Sequence, residues 1–108
     1  MRVDSDTWQQ VLTRDKGWCR YCGEDLLASA VAFSCAQVDH VVAVAADGSS
    51  DPSNLVLSCA TCNNALSRSA HLRTFDERKV VALAGKRKLI ENFGSWLPLR
   101  QENPARTT

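Results

Sequence analysis

The sequence predicts a small α+β domain stapled by a metal ion. Three observations carry this reading: two C-x-x-C pairs, Cys19/Cys22 and Cys59/Cys62, short strand-like runs between them, and helical patterns on both flanks. At 108 residues the chain has room for one domain, and a core this small gains from a metal staple. We read residues 1–108 as that domain, with a motif core at about 19–70, a basic helical region at about 74–97 and a flexible tail at 101–108.

From the N-terminus, Ser5 or Asp6 caps a helix running through Trp8, Val11 and Leu12 towards Arg14. Lys16-Gly17 ends it and delivers the chain to Cys19-Arg-Tyr-Cys22-Gly23, where the glycine suits the tight turn of a zinc knuckle. Residues 31–45, rich in Val, Ala and Phe, read as strand, with Cys35 as a buried strand residue. Residues 46–53 are a loop by composition, and Leu55-Val-Leu57 is a second strand. From Thr61 the pattern is helical through Ala65, Leu66 and Ala70. Thr74-Phe-Asp-Glu77 is a capping box that opens a last helical region, which Gly85 bends or splits and Pro98 ends. Trp8, Trp18, Phe93 and Trp96 read as core.

Composition excludes several classes. No apolar run approaches the ~20 residues that span a bilayer, and Met1 to Gln10 lacks the apolar centre of a signal peptide. The expectation is a cytoplasmic protein without membrane contact. In a reducing compartment the two C-x-x-C pairs, separated by 36 residues, are metal ligands rather than disulfides, and they suit a closed four-cysteine zinc site. The spacer exceeds that of a simple zinc ribbon, so the insert has work of its own.

Charge is distributed unevenly. Residues 1–60 carry four cationic and eight anionic side chains, a net −4, and the remainder carries nine and four, a net +5. Arg68, Arg73, Arg78, Lys79, Lys86, Arg87 and Lys88 fall in one stretch, which suits either a solvated helix face or phosphate contacts.

Within and beside the insert lie Val38-Asp-His-Val-Val42, then the loop, then Asn54 and finally Cys59-Ala-Thr-Cys62-Asn63. This order resembles the HNH endonuclease motif, in the branch with Asn at the third position and zinc-binding C-x-x-C pairs on both sides. The resemblance covers about Cys19 to Arg68. It implies a ββα-metal core, in which a two-stranded hairpin packs on a helix. It implies that His40 is the general base, that Asp39 and Asn63 hold a divalent ion, and that Asn54 keeps the hairpin ends in register. Oxygen ligands of that kind suit Mg²⁺ or Mn²⁺ and leave positions for phosphate and water. An imidazole titrating near neutrality is suited to take a proton from that water.

Asp39 and His40 are adjacent, so an ideal strand would aim them at opposite faces, and a bulge or strand end is required to bring them together. Some relatives carry histidine four residues after the third motif position, where this chain has Ser67. His71, rotated by about 80° from Asn63 on a continuous helix, reads as a surface or structural residue. The implied activity is metal-dependent cutting of DNA with little sequence specificity, by a monomer that nicks or a homodimer that cuts both strands. Proteins of this size and motif are similar to those of phages, their hosts and small restriction systems. The rival is a zinc-binding module that recognises nucleic acid or protein without chemistry. A deaminase reading fails because His40-Val-Val42 lacks the glutamate of H-x-E.

Overall fold

The computed structural model describes residues 3–106. The first helix, α1 (Ser5–Asp15), is capped by Asp4, whose carboxylate accepts the Thr7 N–H at 2.7 Å. Ser5 and Asp6 therefore lie inside its first turn. It ends where Lys16 turns left-handed, φ 56°, and donates its N–H to the Leu12 carbonyl.

The knuckle follows. Gly23 takes φ +78° and its N–H closes on the Cys19 carbonyl at 2.8 Å, a conformation that disfavours any side chain. The Arg20 N–H bonds the Leu57 carbonyl at 2.9 Å, which docks the knuckle on the hairpin.

The stretch expected to be one strand is divided. Ser29 accepts the Ala32 N–H at 3.0 Å and nucleates a single helical turn, α2 (Ala30–Ser34). Only Ala36–His40 forms strand β1. Cys35 is consequently exposed at the end of α2 rather than buried in a strand. Beyond His40 the backbone N–H groups of Val41 and Val42 turn to Asn54, at its carbonyl (2.9 Å) and side-chain Oδ1 (2.8 Å), and a 3₁₀ turn follows at Val44–Ala46.

Strand β2 (Leu55–Cys59) pairs antiparallel with β1, from Ala36 opposite Cys59 to His40 opposite Leu55. All five of its residues are buried. Val11, Tyr21, Leu26, Leu55, Leu57, Leu66 and Ala82 form the core, so α1, the knuckle, the hairpin and both later helices share one apolar cluster.

Helix α3 (Ala60–Ala65) is shorter than its pattern suggests. The Leu66 N–H divides between the Cys62 and Asn63 carbonyls, and tight turns at Ser69 and Leu72 replace the expected continuation to Ala70. Thr74 then caps α4 (Phe75–Phe93), accepting the Glu77 N–H at 3.2 Å and donating its hydroxyl to the Glu77 carboxylate at 2.8 Å. Gly85 does not split α4, which runs unbroken from Phe75 to Phe93, and a side chain there would collide with the Ala65 Cβ. Its place is the close approach of α3 and α4. The helix passes into a 3₁₀ segment, Gly94–Leu99, that contains Pro98. Trp18, Phe93 and Trp96 are exposed, contrary to their reading as core, while Trp8 is half-buried against Phe33 with ring centroids 6.3 Å apart. Pro104–Arg106 make a last 3₁₀ turn, and the rest of the expected tail, Thr107 and Thr108, lies outside the described residues. Among the described residues no helix is long and apolar enough to cross a membrane.

Candidate functional site

Two clusters of chemistry-bearing side chains flank the hairpin. At one end Cys19 and Cys22 from the knuckle meet Cys59 from the end of β2 and Cys62 from α3. All four sulfurs lie within 4.8 Å of one another. The Cys22 and Cys59 sulfurs are 3.7 Å apart. That matches the edge of about 3.8 Å expected for a tetrahedron with Zn–S bonds of about 2.3 Å. These four cysteines are positioned to bind a metal ion. Crowded thiols resist ionising together, so the Cys19 thiol is drawn down by hydrogen bonds from Cys59 and Cys62, while theirs are pushed up by the same contacts. A bound cation removes that conflict by taking all four as thiolates. Lys86 turns to this cluster: its ammonium is 3.2 Å from the Glu24 carboxylate, and although burial opposes it, the Cys22 and Glu24 side chains together raise its proton affinity.

Between the end of β1 and helices α3 and α4, a cleft of about 410 Å³ is lined by Asp39, His40, Asn63, Ser67 and Arg78 among others. Asp39 and His40 share it because His40 is the last residue of β1, where the chain leaves the pleat. A strand end, not a bulge, solves the geometric problem that adjacent strand residues pose.

Each side chain is held. Asp39 is buried, and its Oδ2 accepts the Tyr21 hydroxyl together with the Arg78 Nε (3.2 Å) and Nη2 (3.0 Å). Its Oδ1 accepts Arg78 Nη2 alone, at 3.0 Å. Arg78 Nη1 bonds the Ser69 carbonyl at 3.1 Å, and the Tyr21 ring stacks on Phe75 with centroids 5.1 Å apart. Burial, then the Asp39 carboxylate, pushes the Tyr21 phenol up, so it stays a hydroxyl donor. Asn63 donates through Nδ2 to the Gln37 side chain, which leaves its Oδ1 to accept or ligate.

His40 is half-buried, and its Nε2 lies 3.1 Å from Ser50 Oγ. Burial lowers its imidazole below the ordinary value, with the Asp39 charge opposing only in part. Asn54 does not enter the cleft lining. Its Oδ1 accepts the Val42 N–H at 2.8 Å, and its Nδ2 donates to the Val42 and Ser49 carbonyls at 2.9 and 2.8 Å.

The basic row is not uniform. Arg78, grouped in the sequence with phosphate contacts, is 3% exposed and committed to Asp39, so it is no part of a solvent-facing basic surface. Lys86 is paired with Glu24. Arg68, Arg73, Lys79, Arg87 and Lys88 are exposed. Arg68 follows Ser67 of the cleft, and Arg73 donates to the Ala46 carbonyl at 3.2 Å, in the same turn as the cleft residue Val44. His71 is exposed.

Sequence reading missed Tyr21, Arg78, Gln37 and Ser50 as partners of the site. A signal for Arg78 existed: Phe75, Arg78, Ala82 and Gly85 recur at helical spacing, which puts Arg78 on the packed face of α4. For Ser50 and Gln37 no local signal exists, since both are brought in by loop path and strand pairing.

A sequence model of the HNH endonuclease family matches residues 19–69, from the first clustered cysteine to the turn beyond α3. Neither the curated proteins nor the solved structures contain a match to this chain.

Proposed function

We propose that the chain is a metal-dependent endonuclease hydrolysing DNA phosphodiester bonds, a reading supported by the match of the HNH endonuclease family model at residues 19–69. The observation that carries this reading is the meeting of Asp39, His40 and Asn63 in one cleft, beside a four-cysteine metal staple. Zinc is the ion that suits four thiolates with no open position, and its role there is structural.

The donor set in the cleft fits a hard divalent ion such as Mg²⁺ or Mn²⁺. Asp39 Oδ1 takes a single donor where Oδ2 takes three, and Asn63 Oδ1 is left over by the Gln37 bond, so each residue has one oxygen to offer. When bound, such an ion neutralises charge on the phosphoryl group and the departing oxygen. The chain's own residues do the rest. His40 takes a proton from the attacking water as the new P–O bond forms, and the P–O bond to the departing oxygen breaks. Its lowered proton affinity keeps the imidazole neutral, and therefore basic, at neutral pH. Arg78 and Tyr21 hold Asp39 in one rotamer. Arg68 and Arg73 flank the cleft and suit the phosphates of a backbone read without regard to base, with Lys79, Arg87 and Lys88 further along. One such site cuts one strand, so a monomer nicks and double-strand cleavage takes two copies.

The test is plasmid nicking by zinc-loaded protein with Mg²⁺, Mn²⁺ or EDTA, beside a folded His40→Ala variant. Metal-dependent nicking lost in the variant supports the reading, and equal nicking by both proteins overturns it.

One observation favours a second reading. Arg78 already neutralises the carboxylate that a divalent ion needs. A zinc-stapled module that binds nucleic acid without cutting it is compatible with that pairing. DNA binding with no cleavage under any metal would select it.

A further inference from the structure

The imidazole of His40 has two nitrogens, and a general base needs a lone pair on the one that faces the water. Which nitrogen carries the proton is decided by the hydrogen bond the other makes. Here Nε2 lies 3.1 Å from Ser50 Oγ, and among the described residues that is the hydrogen bond of the ring.

Ser50 is held in place from both sides. The Asn54 amide donates to the Ser49 carbonyl at 2.8 Å, and the Asp51 N–H bonds Ser49 Oγ at 3.3 Å. Asp51 in turn accepts the Ser53 N–H and hydroxyl at 2.9 and 2.8 Å. Residues on both flanks of Ser50 are thus tied to the 3₁₀ turn Pro52–Asn54 that leads into β2. Asn54 therefore acts on His40 at one remove, through the loop that presents Ser50.

We propose that Ser50 is a positioning residue for the general base: its hydroxyl accepts the Nε2–H of His40, which leaves the Nδ1 lone pair to take the proton of water. This rests on the endonuclease reading for its purpose, but the hydrogen bond itself is testable without cleavage. The opposite polarity, Ser50 donating to Nε2, would leave the proton on Nδ1 and no free lone pair on the ring. The two arrangements are distinct species.

The first arm is spectroscopic. Long-range ¹H–¹⁵N spectra of the zinc-loaded full chain, at a pH where His40 is neutral, report the tautomer directly. The chain has two histidines, so a His71→Gln variant assigns the signals. The expected result is the Nε2–H form in the wild type, a rise of the Nδ1–H form in Ser50→Ala, and its reversal in Ser50→Thr. The second arm is kinetic. Ser50→Ala should lower kcat for nicking by roughly tenfold, well short of the ~10²–10⁴ of a lost base, with KM little changed and activity largely restored in Ser50→Thr.

A wild type in the Nδ1–H form, or a Ser50→Ala variant with unchanged tautomer and kcat, overturns the proposal. A wild type in the Nε2–H form that cuts no DNA overturns the endonuclease reading instead and leaves the hydrogen bond standing.

Discussion

Arg78 grips Asp39 across the domain, with Nη2 3.0 Å from both carboxylate oxygens, and so ties the last long helix to the first strand at the mouth of the cleft. Both side chains are nearly buried, 4% and 8% exposed. A pair of that kind contributes little net stability when intact, because desolvation offsets attraction, yet removing one partner strands a buried charge. Arg78→Ala should therefore destabilise the fold by about 3–5 kcal/mol, read from the urea midpoint at constant zinc. Tyr21→Phe removes only a neutral donor to a charge and should cost about 1.5–3 kcal/mol. If Arg78→Ala unfolds at the same urea concentration as wild type, the pair is not the clamp described.

A metal ion held by the four cysteines would decide whether the domain folds. Cys62 is fully buried at the start of α3 and joins that helix to the end of β2 and the knuckle. Metal analysis should find one zinc per chain, and a strong chelator should unfold the protein. Cys62→Ser should lose both the ion and the cooperative thermal transition, whereas Cys35→Ser, at an exposed position, should lose neither. A Cys62→Ser protein that melts cooperatively without zinc would show that the core stands without the staple.

Much of this was legible in the sequence because its signals are local. The two C-x-x-C pairs, Gly23 in the knuckle turn, Thr74 with Glu77 at the helix start and the short apolar run of β2 each act within a few residues. What was misread depends on distant partners. Residues 31–45 have strand-like composition throughout, but the Ser29 cap takes the first part into a helical turn and Asn54 diverts the last. Arg78 looked like one cation in a row of seven until packing placed it against a carboxylate 39 residues away. Gly85 looked like a helix breaker because its function is contact with Ala65, which no window around position 85 contains.

Ser67 lines the cleft with Asp39 and Asn63, at the position where some relatives carry histidine. A hydroxyl is a poor ligand and imidazole a good one for transition ions. Ser67→His should tighten Mn²⁺ or Ni²⁺ binding by on the order of tenfold or more, about 1.4 kcal/mol, in calorimetric titrations of zinc-loaded protein. Mg²⁺ should respond less, as a hard ion that prefers oxygen. Identical titrations of the two proteins would place the divalent ion elsewhere.

The pH profile follows from the sign of the His40 shift. Burial lowers its proton affinity, and a neighbouring divalent cation pushes in the same direction. The active form is the neutral ring, so kcat/KM should rise with pH through a midpoint below about pH 6.5, the ordinary imidazole value. The same sign governs stability: protonation is disfavoured in the folded state, so the fold loses stability as pH falls through the ordinary histidine range, and His40→Gln should flatten that loss. An acid limb centred above pH 6.5 is the outcome this geometry forbids.

Asp15 joins three elements from the end of α1. Its carboxylate accepts Arg14 Nε at 2.8 Å, Arg20 Nη1 at 3.0 Å and the Leu57 N–H at 2.9 Å, with only 2% of the side chain exposed. Burial pushes this acid up, but the bonds from Arg14, Leu57 and Arg20 outweigh it and hold it below the usual carboxylate range. The charged form is thus preferred in the folded state, and its contribution is fully present above pH ~4, the ordinary carboxyl midpoint. Neutral pH is the place to measure it, since zinc thiolates protonate before that range is reached on acidification. Asp15→Asn keeps the shape but turns one acceptor oxygen into a donor facing arginine, and should destabilise the domain by about 2–4 kcal/mol. Because Arg14 also bonds the Pro52 and Leu55 carbonyls, at 2.7 and 2.5 Å, its release should loosen the loop that carries Ser50. The variant should then lose amide protection across residues 49–54 as well as global stability. A stability loss with that loop's protection intact would show that Asp15 anchors the knuckle and β2 alone.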